Sequence, residues 1–226
     1  RRLAGRCGYR KRDPFGVTIH KDRLLLPMHW RKPRRVFVDS MGDLFHDDVP
    51  AGQIINVYEV MDAPQCERHT FIVLTKRPDR LARILYGDEG RYYLGGGDHI
   101  PNVWHGVSVE NQSARNIRQP ILQEVPAAIL FLSVEPLLEP VDLGDLTGIH
   151  WVIVGGESGP GARPCDIGWI RSIRDQCGAA RVACFVKQLG ARPVVPGTSL
   201  RFNTFDRNGG DPAEWPGYLR VREFPR

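Results

Sequence analysis

The chain has 226 residues and a formal net charge of +5, and 42% of its residues are hydrophobic. This length suits one α/β domain of barrel size, and the apolar content excludes an intrinsically disordered chain. The positive charge agrees with phosphate, nucleotide or nucleic-acid partners, although any anionic ligand would explain it equally well. No apolar stretch reaches membrane-spanning length, and the first residues lack the apolar core of a secretion signal. We therefore expect a cytoplasmic protein with no membrane partner.

Residues 1–15 carry a run of basic side chains, which we interpret as a poorly ordered, solvated segment rather than a nucleic-acid contact. The chain has five cysteines, and no two of them have the close spacing of a zinc site. The odd number argues against a framework of disulfides, so we expect free thiols in a reducing compartment.

Seven short apolar runs, each ending in polar residues, have the length of buried β-strands. They span residues 16–20, 35–40, 70–77, 103–110, 129–135, 151–158 and 182–188. Helical spacing of apolar residues appears between them, at 49–63, after Pro78, at 112–125 and at 166–178, where Asp166 is a candidate N-cap.

This alternation predicts an α/β fold, a TIM-like (β/α) barrel over residues 16–189 with the strand ends on one rim. Eight strands close such a barrel, so we expect an incomplete one whose first strand is absent or contributed by other residues. Residues 190–226 are rich in proline and glycine and predict an irregular extension packed on the barrel. We expect aromatic residues to anchor this extension: Phe202, Phe205, Trp215, Tyr218 and Phe224.

A glycine-rich loop follows the strand predicted at 151–154. It contains Gly155, Gly156, Glu157, Ser158 and Gly159. Glycines allow backbone N–H groups to approach an anionic ligand, and a carboxylate in the loop would accept from hydroxyls or an ammonium group. The loop matches neither a Walker A motif nor a dinucleotide fingerprint. We expect it to contact a ligand; the alternative is a tight structural turn.

Acidic residues end two neighbouring strands, at Glu110 and Glu135. Side chains alternate along a strand, so Ser108 is expected on the same side as Glu110. By the same rule, Ser133 is expected on the same side as Glu135. Charged groups facing a barrel interior need partners, and Lys187 is the candidate. These residues are predicted to do acid/base work or to position a substrate, unless they form a structural network of salt bridges.

Two further strand ends carry candidates. Asp39 and Asp43, four residues apart, could hold a divalent metal or hydroxyls together with Ser40, or could cap a helix. Thr75 and Lys76 form, with the arginine that follows, a natural anion-binding set, or belong to a surface pair before the next helix.

Together, the sequence segments around these strand ends resemble the phage-associated three-cysteine-motif family, whose members look like radical S-adenosylmethionine proteins. The segments occupy residues 36–50, 74–80, 104–110, 132–138, 151–164, 185–188 and 211–216. The resemblance implies that the full-length form is a [4Fe–4S] enzyme acting on a nucleotide or nucleic acid. Its members carry three cluster-binding cysteines on one early loop; the sequence here starts after that point, and Cys7 alone cannot replace them.

The resemblance also implies site roles. Strand ends would contact S-adenosylmethionine, while Glu110, Glu135 and Lys187 would orient the substrate for hydrogen abstraction. The candidate cofactor contacts are Ser40, Thr75, Lys76, Ser108 and the loop Gly155, Gly156, Glu157, Ser158 and Gly159.

Two alternatives stand beside this reading. One is a cluster-free, metal-dependent barrel hydrolase or lyase that uses Asp39, Asp43, Glu110 and Glu135. The other is a non-catalytic module that binds nucleic acid or a partner protein.

Overall fold

A computed structural model of the chain describes residues 13, 16–87 and 99–225, so most of the predicted basic segment 1–15 lies outside the described residues. The centre of the structure is a six-stranded sheet that curls into a half barrel. Its neighbouring strands are all parallel and follow one another in chain order. They are β1 (Arg35–Val38), β2 (Thr70–Thr75), β3 (Val103–Ser108), β4 (Ile129–Val134), β5 (Trp151–Gly155) and β7 (Ala183–Gln188).

Helices connect these strands where the sequence predicts them: α1 (Ala51–Asp62), α2 (Pro78–Tyr86), α3 (Gln112–Gln123) and α4 (Ile167–Ala180). Asn111 caps α3 by accepting from the Ala114 N–H, and Asp166 caps α4 by accepting from the Gly168 N–H. The two-residue strands β6 (Cys165–Asp166) and β8 (Pro193–Val194) pair separately. None of the helices in the described part of the chain is both long and apolar enough to cross a membrane.

The strand predicted at residues 16–20 is wrong. This segment is irregular, and it leads into a short 3-10 turn, Lys21–Arg23. It makes no ladder with β1, which is therefore an edge strand of the described sheet. Two apolar side chains, Val17 and Ile19, satisfy the local pattern of a strand, but a strand also needs a partner whose backbone groups it can pair with.

Alternating side chains divide the sheet into two faces. One face packs on the helices and forms the large core. The other, here called the inner face, carries a smaller apolar cluster of Ile72, Phe131, Trp151 and Ile153. Because both faces are covered with apolar side chains, the strands read as continuous apolar runs.

The C-terminal extension packs at the amino end of the inner face. The ring of Phe224 lies 5.2 Å from that of Trp151, whose indole N–H donates to the Glu223 carbonyl. Trp215 is also buried, as expected of an anchor. Phe205, in contrast, is 97% exposed, so its expected role as an anchor is wrong.

Gly106 on β3 makes room for Phe131, its fully buried partner on β4. A Cβ at position 106 would lie inside the van der Waals radius of the ring. We expect Gly106→Ala to lower the free energy of unfolding by about 1–3 kcal/mol, the usual effect of overpacking a core. Urea denaturation measures this change in the free energy of unfolding.

The matched control is Gly178→Ala in α4, where an added Cβ would meet nothing within 4 Å. This substitution should raise the free energy of unfolding by up to about 1 kcal/mol, because alanine favours helix over glycine. Equal stability of Gly106→Ala and the wild type would contradict the packing described here.

Candidate functional site

The carboxyl ends of the parallel strands meet at one edge of the sheet, and most of the residues there are polar. We define the carboxyl-edge site by these residues: Lys76, Ser108, Glu110, Ser133, Glu135, Gly155 and Lys187. Ser108 and Ser133 are direct partners in the ladder between β3 and β4, and both are buried. The structure thus brings together seven of the residues that the sequence singles out as site candidates: Lys76, Ser108, Glu110, Ser133, Glu135, Gly155 and Lys187.

Glu110 is the more tightly paired of the two acids. Its Oε1 contacts the Lys76 ammonium, and its Oε2 lies 2.7 Å from Nη1 of Arg118 on α3. Burial alone would raise the pKa of this carboxyl, but the hydrogen bond from Lys76 and the charge of Arg118 outweigh it and lower the pKa. Glu110 is therefore a stable anion that holds two cations at the edge.

Glu135 has one cation instead of two. Its Oε2 lies 3.1 Å from the Lys187 ammonium, while its buried Oε1 has no hydrogen-bond partner among the described residues. Burial raises the pKa of this carboxyl despite the opposing charge of Lys187. A Cβ at position 155 would lie 2.6 Å from Oε1, so Gly155 is what allows the carboxylate to sit there.

Thr75 and Asp43 are hydrogen-bonded to each other and have a structural role. The Thr75 hydroxyl donates to Asp43, which also accepts from the backbone N–H groups of Phe45 and Lys76 and from Nη1 of Arg77. Thr75 points to the helix side of the sheet, away from the carboxyl-edge site. Asp43 joins the ends of β1 and β2, and with four donors its carboxylate is occupied.

This occupancy weakens the metal interpretation of Asp39 and Asp43. Within residues 13, 16–87 and 99–225, no group of three or more His, Cys, Asp or Glu side chains could hold a metal ion. Asp39 instead has a left-handed backbone, with φ of 51°, and burial followed by the charge of Asp43 raises its pKa.

Asp39 and Ser40 line a cavity of about 740 Å³ beside the edge strand β1. Its walls come from the irregular segment 16–30, from β1 and from α1. A smaller cavity of about 410 Å³ lies between α2 and α3 and includes Lys76, Glu110 and Arg118 in its wall. Both volumes fall in the range of small-molecule sites.

The glycine loop is folded back on itself. Glu157 accepts from Nε and Nη2 of Arg163 and from the Arg163 backbone N–H. These hydrogen bonds lower the pKa of Glu157 to about 2. The N–H groups of Gly156 and Gly159 donate to Gln188 and Asn208, so they are not free to form an anion nest.

Ser158 and Gly159 thus belong to a structural turn rather than to the carboxyl-edge site, although the turn borders it. Arg163 provides the link: its pKa is raised first by the hydrogen bond to Glu157 and, more weakly, by the negative charge of Glu110. The charge of Arg163 is therefore close enough to Glu110 to interact with it.

The sequence did not identify Arg118 as a site residue. It lies midway between Ala114 and Leu122, four residues from each, and both of those are buried on the sheet-facing side of α3. An arginine in a buried helical stripe needs an acidic partner, and this signal was available in the sequence.

The chain belongs to a family described as "Protein of unknown function (DUF5131)", whose model matches residues 2–205. Comparisons with curated proteins and with solved structures gave no match.

The opposite pKa shifts of Glu110 and Glu135 predict opposite pH trends. The lowered pKa of Glu110 means that its contribution to stability is present above the ordinary carboxyl pKa and is lost as the pH falls through the folded value. The raised pKa of Glu135 means that its contribution is complete at low pH and is lost as the pH rises through the folded value.

Urea unfolding from about pH 3 to pH 8 tests this with Glu110→Gln and Glu135→Gln. The stability advantage of wild type over Glu110→Gln should grow with pH to about 1.5–3 kcal/mol, the usual value for a charge-assisted hydrogen bond. The difference between wild type and Glu135→Gln should shift in the opposite direction. Parallel pH trends for the two variants would be inconsistent with this pairing.

Proposed function

We propose that the protein is a radical S-adenosylmethionine-like barrel protein whose carboxyl-edge site binds S-adenosylmethionine. The observation that carries the proposal is the buried Oε1 of Glu135, which lacks a hydrogen-bond donor among the described residues. A buried carboxylate oxygen without a donor is unfavourable, and a ligand ammonium group would satisfy it.

Lys187 makes this exchange feasible. Its side chain is 55% exposed, so it can move into solvent while a ligand ammonium takes its place against Glu135. The displaced lysine, with Lys76 and Arg118, would then face the ligand carboxylate. S-adenosylmethionine carries both groups on its methionyl part, and the serine hydroxyls of the site suit its ribose.

The fold supports the same proposal. A curled sheet of parallel strands is compatible with an incomplete TIM-like barrel, and such folds bind their ligands at the carboxyl ends of the strands. The resemblance of the strand-end segments to the three-cysteine-motif family points to the same cofactor. A reducing cytoplasm suits the free thiols of the four described cysteines, all of them buried.

The described residues do not fit a [4Fe–4S] cluster. Cys177 and Cys184 are neighbours, but no group of three metal-ligating side chains occurs among the described residues. Cys7 lies outside the described residues. A cluster would need thiolates from beyond this region, so the enzyme activity, on a nucleotide or nucleic acid, rests on the resemblance and on the positive charge.

Isothermal titration calorimetry with S-adenosylmethionine tests the ligand. We expect the wild type to bind and Glu135→Gln to bind about tenfold more weakly or worse, because one charge-assisted hydrogen bond is lost. Glu67→Gln, which removes the same charge from an exposed site before β2, should bind like the wild type. Absence of wild-type binding, or equal affinity of Glu135→Gln, would refute the proposed ligand.

The cluster is tested separately. Coding sequence upstream of Arg1 should contain three closely spaced cysteines, and protein that includes them should hold iron and sulfide with visible absorbance after anaerobic reconstitution. A product without iron, sulfide or that absorbance would rule out the radical mechanism.

A further inference from the structure

We propose that Phe205 is a stacking platform for a base of single-stranded nucleic acid at the carboxyl edge of the sheet. Its ring is 97% exposed, against 69% for Leu200, another of the exposed large apolar side chains. A phenylalanine ring that is held in water is unfavourable unless a partner covers it.

The backbone that carries this ring is rigidly held. Glu214 accepts from the N–H groups of Phe205 and Asp206, at 3.0 and 3.2 Å. Asp206 in turn accepts from the N–H groups of Asn208 and Gly210, at 2.9 and 2.8 Å. These hydrogen bonds order the backbone at Phe205 before a partner arrives, which lowers the entropy lost on binding.

Two contacts place this segment at the carboxyl edge. The Gly209 carbonyl accepts from the N–H of Leu189, the residue that follows β7. The Asn208 side chain accepts from the N–H of Gly159 in the glycine loop. Phe205 is thus displayed beside the ends of β5 and β7, where Lys187 and Glu135 also lie.

The neighbours of Phe205 suit a nucleic acid better than a protein. Arg201 and Arg207 are exposed, and neither makes an ion pair within the described part of the chain. The exposed amides of Asn203 and Asn208 could meet base edges. The neighbouring carboxylates of Asp206 and Glu214 accept from backbone N–H groups, which offset part of their negative charge.

A protein partner would call for a continuous apolar patch around the ring. Leu200 belongs to a separate turn, closed by a hydrogen bond from the Val195 N–H to the Leu200 carbonyl. A single aromatic ring with cations and amides around it is the arrangement that binds single strands, through base stacking and phosphate contacts. This inference rests on the proposed function, which locates the reaction at the carboxyl edge. It adds the class of substrate, a single-stranded nucleic acid.

Fluorescence anisotropy with labelled oligothymidylate and oligouridylate of about 12 nucleotides tests the proposal at several salt concentrations. Phe205→Ala should weaken binding by about fivefold to about 150-fold, the range measured for loss of one base–aromatic stack. Phe205→Trp should retain binding. Leu25→Ala, which removes an exposed apolar side chain from the segment before β1, is the control and should bind like the wild type.

Salt dependence separates stacking from charge. Phe205→Ala should leave the slope of log affinity against log salt unchanged, whereas Arg207→Ala should reduce it by about 0.7, the value for one phosphate contact on a single strand. The exposure of Phe205 predicts an unchanged urea midpoint for Phe205→Ala, so weaker binding would not reflect unfolding.

Equal affinity of Phe205→Ala and wild type for both oligonucleotides overturns the proposal. So does the absence of wild-type binding to either, which would leave a protein as the partner of the ring. Phe205→Ala should still bind S-adenosylmethionine like the wild type. Failure of the wild type to bind S-adenosylmethionine, with oligonucleotide binding intact, would remove the proposed cofactor and leave the stacking role standing.

Discussion

The parallel pairing of the six central strands is the constraint on which the rest of the structure depends. Because every pairing is parallel, the carboxyl ends of the strands lie at one edge, although the residues there are far apart in the chain. Alternation then assigns each strand residue to a face, so that Val107 enters the helix-side core while Ser108 turns to the inner face. One geometric rule thus builds both the core and the carboxyl-edge site.

At that edge the balance between desolvation and pairing differs for two similar acids. Glu110 has Lys76 and Arg118 as partners, which outweigh the effect of burial. Glu135 has only Lys187, and burial prevails. The result is one carboxylate that stays charged and, one strand away, one acid whose charge is easier to change and whose single cation is exposed.

The C-terminal extension contributes at both ends of the sheet. Phe224 and Glu223 cover the amino end of the inner face through contacts with Trp151. Near the carboxyl end, Trp215 is buried and its indole N–H donates to Gly209, which fixes the segment that displays Phe205. The extension therefore closes the apolar end of the sheet and leaves the polar end accessible.

The sequence by itself determined the six strands of the central sheet and the four connecting helices. These follow from local rules, because buried parallel strands are continuous apolar runs and their side chains alternate. It also pointed to Lys187 as a partner for an acid, to the cap at Asp166 and to the start of a helix at Pro78. Only the tertiary structure decided which groups meet across distant segments.

Residues 16–20 have the local pattern of a strand, but they pair with no strand of the described sheet. Phe205 has the residue type of an anchor, but its ring is exposed in a loop whose backbone is hydrogen-bonded to Glu214. Glu157 looks available to a ligand but is held by Arg163, and Arg118 reaches Glu110 from a helix. Each of these outcomes depends on which partner is near in space. Pairing, exposure and charge compensation are properties of the folded chain, and a linear pattern of residue types does not encode them locally.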